Sequence, residues 1–180
     1  PEIMPAVDAE IAGQVKQELT KHGVRFMNEA KLTEVKQGEG GLVAKVAAGG
    51  KTEEISAEYV LVAVGRRPRT ANIGLESVGV KTERGKVVVD KNFATNIPGI
   101  YAIGDCNGQI MLAHAASAQG VAAVEHALGH QAVYCANTIP SCIYTSPEVA
   151  GVGLTEEQAK QQKIAYKVGR FALGGNGKSV

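Results

Sequence analysis

Residues 95–114 read TNIPGIYAIGDCNGQIMLAH, and this stretch decides the fold. The apolar run 99–104 predicts a short buried strand that ends at a glycine, and Asp105 follows at its carboxyl end, where open α/β sheets bind ligands. Residues 111–128 predict a helix of about four to five turns. This order of strand, loop and helix places a carboxylate beside a helix amino terminus. The carboxylate can accept a hydrogen bond from a sugar hydroxyl, and the free N–H groups of the helix suit an electron-rich carbonyl or an anionic ring edge.

A second apolar run, EYVLVAVG at residues 58–65, predicts a strand buried on both faces of a parallel sheet. The polar stretch 66–73 that follows contains Pro68, and this change of composition indicates a crossing between domains. Further short strands are predicted at residues 78–80 and 86–89.

The beginning of the chain predicts a helix and a small antiparallel meander. Apolar residues recur every four positions within residues 8–22, with Asp8 as a cap and Gly23 as a stop. After Gly23 the hydrophobic period shortens, and glycine turns separate three predicted strands at residues 24–27, 31–36 and 42–47.

The last third of the chain predicts a separate small unit. Strands are expected at residues 138–144 and 148–152, joined through Ser146-Pro147, and a further strand at residues 166–171. Between them, the sequence TEEQ at residues 155–158 matches the start of a helix with a capping box.

Charge and composition exclude several classes of protein. Nineteen lysines and arginines face 18 aspartates and glutamates, so no excess of positive charge favours a nucleic-acid partner. No apolar run reaches the length that crosses a bilayer, and no secretory signal is visible, so we expect a cytoplasmic protein without membrane contact. The three cysteines have spacings that match no zinc or redox motif and predict buried free thiols, and no metal site is expected.

The stretch around Asp105 resembles the second flavin-binding motif of the FAD-dependent pyridine nucleotide-disulfide oxidoreductases. The resemblance implies that Asp105, following Gly104, hydrogen-bonds the ribityl chain of FAD. The string MLAH is similar to dihydrolipoyl dehydrogenases in particular, and it implies that the backbone of Met111, Leu112, Ala113 and His114 faces the flavin ring.

Two more matches extend the resemblance over nearly the whole chain. Residues 62–69 (VAVGRRPR) resemble the strand end at which the family's chain leaves its NAD domain, which implies that Gly65 lies close to NAD. Leu32, in the strand-like stretch KLTEV at residues 31–35, matches a family position that lines the adenosine. Tight-turn and core-packing roles remain open for these two residues. The three arginines of this stretch fit either a solvated linker, which is favoured, or a clamp for the 2′-phosphate of NADP.

Residues 139–153 (IPSCIYTSPEVAGVG) resemble the opening of the family's dimer-interface domain. The expected fold class is α/β: parts of two Rossmann-like dinucleotide-binding domains plus the start of an α+β dimerisation domain. The corresponding division is the carboxyl-terminal part of an NAD-binding domain at 1–70, a returning FAD-binding segment at 71–137, and the start of the dimer-interface domain at 138–180.

The resemblance implies an internal piece of an enzyme that oxidises dihydrolipoamide and reduces NAD through FAD and a redox disulfide. The parent would be a homodimer that serves the lipoyl domains of a 2-oxo acid dehydrogenase or glycine cleavage complex. The GxGxxG fingerprints, the redox cysteine pair and the catalytic His-Glu pair are missing from the sequence, so we expect the piece alone to be inactive. Two alternatives stay open: another family member, such as a mercuric reductase or soluble transhydrogenase, or a non-catalytic binding module.

Overall fold

The computed structural model of the protein describes residues 2–179 and shows a mixture of helices and short antiparallel strands. In chain order the elements are α1 (Ala9–Lys21), β1 (Lys31–Gly38), β2 (Gly41–Ala48), β3 (Lys51–Ala57), β4 (Thr82–Glu83), β5 (Lys86–Val87), α2 (Ala113–Ala127), β6 (Ser141–Ile143), β7 (Val149–Gly151) and α3 (Glu156–Gln161). Residue 1, which opens the predicted segment 1–70, and residue 180, which closes the predicted segment 138–180, lie outside the described residues.

Helix α1 confirms the helix predicted at the beginning of the chain. The Asp8 side chain caps it by accepting a hydrogen bond from the backbone N–H of Glu10 at 3.2 Å. Val15 is buried on its apolar face, and Gly23 ends the helical stretch with a φ of +85°. Each of these features follows from local sequence, because a cap, an apolar stripe and a left-handed glycine are short-range signals.

Strands β1, β2 and β3 form an antiparallel sheet in that order, with β2 in the centre. The strands predicted at 31–36 and 42–47 are confirmed, whereas β3, which is polar and mostly exposed, was not predicted. The strand predicted at 24–27 is wrong: residues 24–27 pair with no strand, and Arg25 instead forms an ion pair with Glu53 of β3 at 2.7 Å.

The buried strand predicted at residues 58–65 is also wrong. These residues have no strand conformation, and Tyr59 and Leu61 are 86% and 89% exposed. A buried parallel strand needs a hydrogen-bonded neighbour at its edges, and within residues 2–179 no segment pairs with this run. The apolar sequence is therefore present without the sheet that would cover it.

The second predicted core strand, at residues 99–104, is reduced to a single bridge between Tyr101 and Ala94. The core forms beside it instead, where Phe93 packs with Ala122 and Ala123 of α2. The predicted strand at 78–80 is wrong, since Glu76–Val78 is a turn of 3-10 helix. The prediction at 86–89 is confirmed only as the two-residue strand β5, which pairs with β4.

The last part of the chain begins as predicted and ends differently. Strands β6 and β7 pair as a short antiparallel ladder, and α3 starts with the predicted capping box between Thr155 and Gln158. The strand predicted at 166–171 is wrong, because this segment packs along helices by its side chains: Tyr166 donates to Glu156 at 2.8 Å, and the Arg170 guanidinium binds both carboxylate oxygens of Glu10.

We call the junction of α1, α3 and the segment at 166–171 the α1–α3 seam, formed by Asp8, Glu10, Glu156, Tyr166 and Arg170. Asp8 accepts from Glu10 with one oxygen and from the backbone N–H of Glu156 with the other, at 3.0 Å. An open cleft of about 1060 Å³ is lined by all five of these residues. None of the helices within residues 2–179 is long and apolar enough to cross a membrane.

Candidate functional site

The predicted carboxylate lies on a short turn of 3-10 helix, Gly104–Asn107. Gly104 enters this turn with a φ of +72°, a conformation that favours glycine, while its backbone is buried. The turn ends at Gly108, which is also left-handed, with a φ of +64°. The side chain of Asp105 is left 49% exposed, so its oxygens are accessible to a ligand hydroxyl.

Helix α2 begins immediately after this turn, and its amino terminus is open. Leu112 occupies the cap position and provides no side-chain acceptor. The first intrahelical bond is donated by Ala116, and within residues 2–179 no acceptor bonds the N–H groups of residues 113–115. Three orphan donors and the partial positive charge of the helix therefore lie on the backbone of the MLAH stretch.

The imidazole of His114 is engaged elsewhere. Its Nε2 lies 2.8 Å from the carbonyl oxygen of Pro140, and because a carbonyl only accepts, Nε2 carries the proton and donates. The bond links the amino terminus of α2 to the stretch that leads into β6. The side chain of His114 is thus occupied, which leaves its backbone N–H as the group available to a ligand.

The Asp105 turn and α2 form one packed unit. The position where a Gly104 Cβ would stand is 3.1 Å from the Cβ of Ala116, so the backbone of the turn lies against the first turns of the helix. The amide oxygen of Gln119 accepts from the Gly104 N–H at 2.7 Å and from Asn107 at 2.9 Å. The sequence predicted Gly104, Asp105 and the MLAH backbone as neighbours, and the structure shows how turn and helix are joined.

Arg66, from the polar stretch after the first apolar run, lies near this carboxylate. Its Nε is 3.7 Å from Oδ2 of Asp105, and both side chains are largely exposed. An exposed ion pair at that distance contributes little to stability, so a ligand hydroxyl can replace it without a large cost.

The two residues predicted to bind NAD, Gly65 and Leu32, lie in different parts of the chain. Gly65 has a φ of +103°, and nothing lies within 4 Å of the position of its missing Cβ, so its backbone can be approached closely. Leu32 lies in β1 opposite Val46 and is half exposed. Both positions are open to solvent.

The three cysteines are free. Cys106 lies in the Asp105 turn, where its Sγ donates to the Ile103 carbonyl at 3.1 Å, and burial raises the pKa of its thiol. A raised pKa keeps this thiol protonated and poorly nucleophilic. Cys135 and Cys142 are exposed, so the prediction that all three are buried is wrong. Cys142 lies in β6, a three-residue strand paired only with β7 within residues 2–179.

We expect Gly104→Ala to lower the free energy of unfolding by about 1–2 kcal/mol, because a Cβ is strained at positive φ and would press on Ala116. Urea unfolding followed by circular dichroism measures the change. Gly13→Ala in α1 is the matched control, since nothing lies within 4 Å of its Cβ position, and it should stabilise by about 0.5–1 kcal/mol. Equal shifts in the two variants would contradict the role given to Gly104.

Comparison with known proteins gives consistent matches along the chain. Residues 1–120 match a family described as pyridine nucleotide-disulphide oxidoreductase, and residues 139–180 match the dimerisation domain of the same family. The sequence is 44% identical over its full length to a dihydrolipoyl dehydrogenase of Rhizobium etli and covers 38% of that protein. It is 40% identical to a mitochondrial dihydrolipoyl dehydrogenase of Pisum sativum, with 99% of this chain and 36% of that protein covered.

Solved structures agree with these relatives. LpdA from Mycobacterium tuberculosis superposes with a TM-score of 0.75 at 32% identity, covering 86% of this chain and 34% of that one. The HOCl-induced flavoprotein disulfide reductase RclA from Escherichia coli gives a TM-score of 0.74 at 27% identity, covering 88% and 36%. The predicted α/β fold class is confirmed, and the chain spans well under half the length of these relatives.

Proposed function

Because this chain belongs to the pyridine nucleotide-disulphide oxidoreductase family, we propose that it supplies the flavin-facing turn and helix of a dihydrolipoyl dehydrogenase. The observation that carries the proposal is the packing of the Asp105 turn against α2, whose amino terminus is uncapped. Such an enzyme oxidises dihydrolipoamide and reduces NAD, and FAD, when bound, supplies the electron transfer between them.

The residues present fit a flavin. Asp105 offers an accessible carboxylate that can accept from hydroxyls of a sugar-like chain. The backbone N–H groups of Ala113 and His114 have no acceptor within residues 2–179 and can stabilise negative charge that develops on an adjacent ring edge. Met111 and Leu112, both half-buried, would exclude water from the same side. The polar and apolar contacts required of a flavin site thus come from ten consecutive residues.

Gly65 and Leu32 would form part of an NAD site. At Gly65 the absence of a side chain and the open space around its Cα allow a nucleotide to lie against the backbone. Leu32 would present its half-exposed side chain to an adenosine. The arginines around Gly65 are exposed and belong to the linker in this proposal, which makes NAD rather than NADP the expected nucleotide.

The domain division at 1–70, 71–137 and 138–180 is part of the same proposal, with an NAD-binding portion, a returning FAD-binding segment and the start of the dimer interface. The match of residues 139–180 to a dimerisation domain supports a homodimeric enzyme. Lipoyl domains of a 2-oxo acid dehydrogenase or glycine cleavage complex would be its partners, and the cytoplasm its compartment. The redox disulfide and the base would come from parts of the enzyme that the sequence of this chain does not include.

Relatives favour dihydrolipoyl dehydrogenase over other members of the family, because proteins of that name from bacteria and plants match the whole chain at 39–44% identity. One plant relative at 40% identity is named leghemoglobin reductase.

Titration of FAD into the purified chain, followed by flavin fluorescence, tests the flavin site. We expect saturable quenching by the unsubstituted chain and about tenfold weaker binding by Asp105→Ala, the effect of losing a charge-assisted hydrogen bond worth about 1.5 kcal/mol. Asp105→Asn, which keeps one acceptor oxygen, should lie between them.

The control for this titration is Glu39→Ala, since Glu39 is also an exposed carboxylate at a turn but lies between β1 and β2, outside the Asp105 turn and α2. It should leave the dissociation constant for FAD unchanged. Binding that is equal in the Asp105 and Glu39 variants would remove Asp105 from the site, and no binding by the unsubstituted chain would refute flavin binding by this part of the enzyme.

A further inference from the structure

Gln119 is the one polar side chain of α2 that is completely buried, with 0% of its surface exposed. It shares the buried face of the helix with Ala115, Ala122 and Ala123, all of them small and apolar. An amide on such a face loses its hydration and must find hydrogen-bond partners inside the protein. The identity of these partners shows whether Gln119 has a role beyond packing.

The two closest of its three partners belong to the turn that carries Asp105, and the third is the hydroxyl of Tyr134, to which Nε2 donates at 3.5 Å. The amide oxygen of Gln119 accepts from the backbone N–H of Gly104 at 2.7 Å and from Nδ2 of Asn107 at 2.9 Å. Gly104 is the first residue of the turn and Asn107 is the last. One oxygen atom on the helix is thus bonded to both ends of the turn, with Asp105 between them.

Asn107 extends these bonds to the backbone on either side. Its Nδ2 also donates to the carbonyl of Ala102 at 3.2 Å, and its Oδ1 accepts from the N–H of Gln109 at 3.0 Å. The chain entering the turn and the chain leaving it are therefore both linked to the amide of Gln119. Since two donors face the oxygen of Gln119, the orientation of its amide group is fixed.

We propose that Gln119 is the positioning residue of the flavin site, holding the Asp105 carboxylate at a fixed place relative to the amino terminus of α2. The proposal rests on the flavin site proposed above and adds a residue that does not touch the flavin. FAD would contact the turn and the helix at once, so its affinity depends on how well these two are fixed to each other before it binds. Gln119 belongs to the helix and bonds the turn.

The backbone conformation explains why this position requires an acceptor. The left-handed Gly104 directs its N–H into the buried contact with α2, where the space near its Cα is filled by Ala116. Without the oxygen of Gln119, this N–H would be buried and unsatisfied, and the turn would gain by rotating the N–H toward solvent. That rotation moves the next residue in the chain, Asp105.

The test compares Gln119→Met with Gln119→Glu. Methionine keeps length and apolar volume but has no comparable acceptor, whereas a carboxyl group keeps an acceptor oxygen at the same reach. Gln17→Met in α1 is the control for the substitution itself, because Gln17 is exposed on its helix. Hydrogen exchange at the Gly104 amide, followed by NMR, and flavin fluorescence titration are measured on each variant.

For Gln119→Met we expect faster exchange at the Gly104 amide and an increase of about tenfold in the dissociation constant for FAD, the effect of one buried donor left without a partner. Gln119→Glu should restore both toward the unsubstituted values, and Gln17→Met should change neither. Rescue by the conservative variant separates positioning from loss of packing. Exchange rates in β1–β3 that stay constant show that the variants remain folded.

Two results would overturn the proposal: unchanged protection of the Gly104 amide in Gln119→Met, or faster exchange there with no loss of FAD affinity. If the unsubstituted chain binds no FAD, the proposed function fails. The hydrogen-exchange rate of the Gly104 amide in Gln119→Met then still tests whether Gln119 holds the turn. If Gln119→Met does not fold, Asn107→Ala removes one of the two donors, and an unchanged Gly104 amide in that variant would count against the network.

Discussion

Phe93→Ala is expected to lower the free energy of unfolding by about 3–5 kcal/mol, the usual cost of removing a large aromatic side chain from a core. Phe93 is 1% exposed and packs on Ala122 and Ala123 of α2. Its ring also meets the ring of Tyr134 edge-on, with centroids 4.9 Å apart. Where the loss falls in this range depends on how far the neighbouring side chains, Val89, Tyr101 and Tyr134, move into the cavity.

The substitution should also affect the candidate site, because Phe93 contacts both the chain that leads into the Asp105 turn and helix α2. Its carbonyl accepts from the N–H of Ala102, which lies just before the Asp105 turn, while its ring packs on α2. A cavity at Phe93 therefore loosens the contact between the turn and the helix. We expect FAD binding to weaken together with stability in this variant, which distinguishes it from Asp105→Ala, where stability should be nearly unchanged.

Urea unfolding followed by circular dichroism measures the effect, and Phe171→Ala is the matched control. Phe171 is 87% exposed, so its removal should change stability by less than about 0.5 kcal/mol. A Phe93 variant as stable as the Phe171 variant would mean that the cluster around α2 is not the core of the protein.

Local elements could be predicted from the sequence because their signals are local. Helix α1 carries its cap and its stop within 16 residues, and the capping box of α3 lies within four. Strands β1 and β2 alternate in burial only weakly, yet the short hydrophobic period and the glycine turn between them sufficed for the prediction. In each case the partner of a residue lies a few positions away.

The strands predicted at 58–65 and 99–104 did not form as such, because a parallel strand depends on distant partners. The run EYVLVAVG has the composition of a buried strand, but composition does not state what covers it. Strand β3 shows the opposite case: its sequence is polar and mostly exposed, and pairing with the centre strand β2 alone makes it a strand. Pairing, not propensity, decided both outcomes.

Within the candidate site, Asp105 and the start of α2 were predictable, whereas Gln119 was missed. A signal for it exists: Ala115, Gln119, Ala122 and Ala123 follow the spacing of one helix face, so a lone glutamine falls on an apolar stripe. A polar residue there predicts a buried partner, but the sequence does not say that the partner is the Gly104 amide. Arg66 was predicted as a linker residue, and its position 3.7 Å from Asp105 depends on the fold.

The α1–α3 seam is the other place where distant parts of the chain meet, and it depends on Asp8. The residue precedes α1 and lies 148 positions from Glu156, yet its two oxygens accept from the first turns of both helices. One side chain thus caps α1 and also accepts a hydrogen bond from the first turn of α3, whose own cap is Thr155. Glu10 and Arg170 add a bidentate ion pair across the same junction.

Asp8→Ala is expected to lower the free energy of unfolding by about 2 kcal/mol, since loss of the α1 cap costs about 1 kcal/mol and loss of the hydrogen bond to the Glu156 N–H costs about as much again. Asp8→Asn keeps one acceptor oxygen and should lose about half as much. Urea unfolding gives both values. Hydrogen exchange at the Glu156 amide, measured by NMR, locates the loss: it should accelerate in Asp8→Ala, because this amide has no other acceptor within residues 2–179.

Acid should also weaken the α1–α3 seam, because two of its carboxylates have lowered pKa values in the folded protein. The Arg170 guanidinium holds the pKa of Glu10 below its ordinary value, and hydrogen bonds from Lys160 and Tyr166 do the same for the pKa of Glu156. A carboxylate with a lowered pKa in the folded state stabilises the protein above its unfolded pKa, and this contribution is lost as the pH falls through the folded value. Glu10 is exposed and Glu156 partly exposed, so the effect is small and screened by salt. Arg170→Gln should flatten the acid limb of stability between about pH 5 and pH 3, whereas an unchanged acid limb would show that the ion pair between Glu10 and Arg170 does not contribute to the stability of the seam.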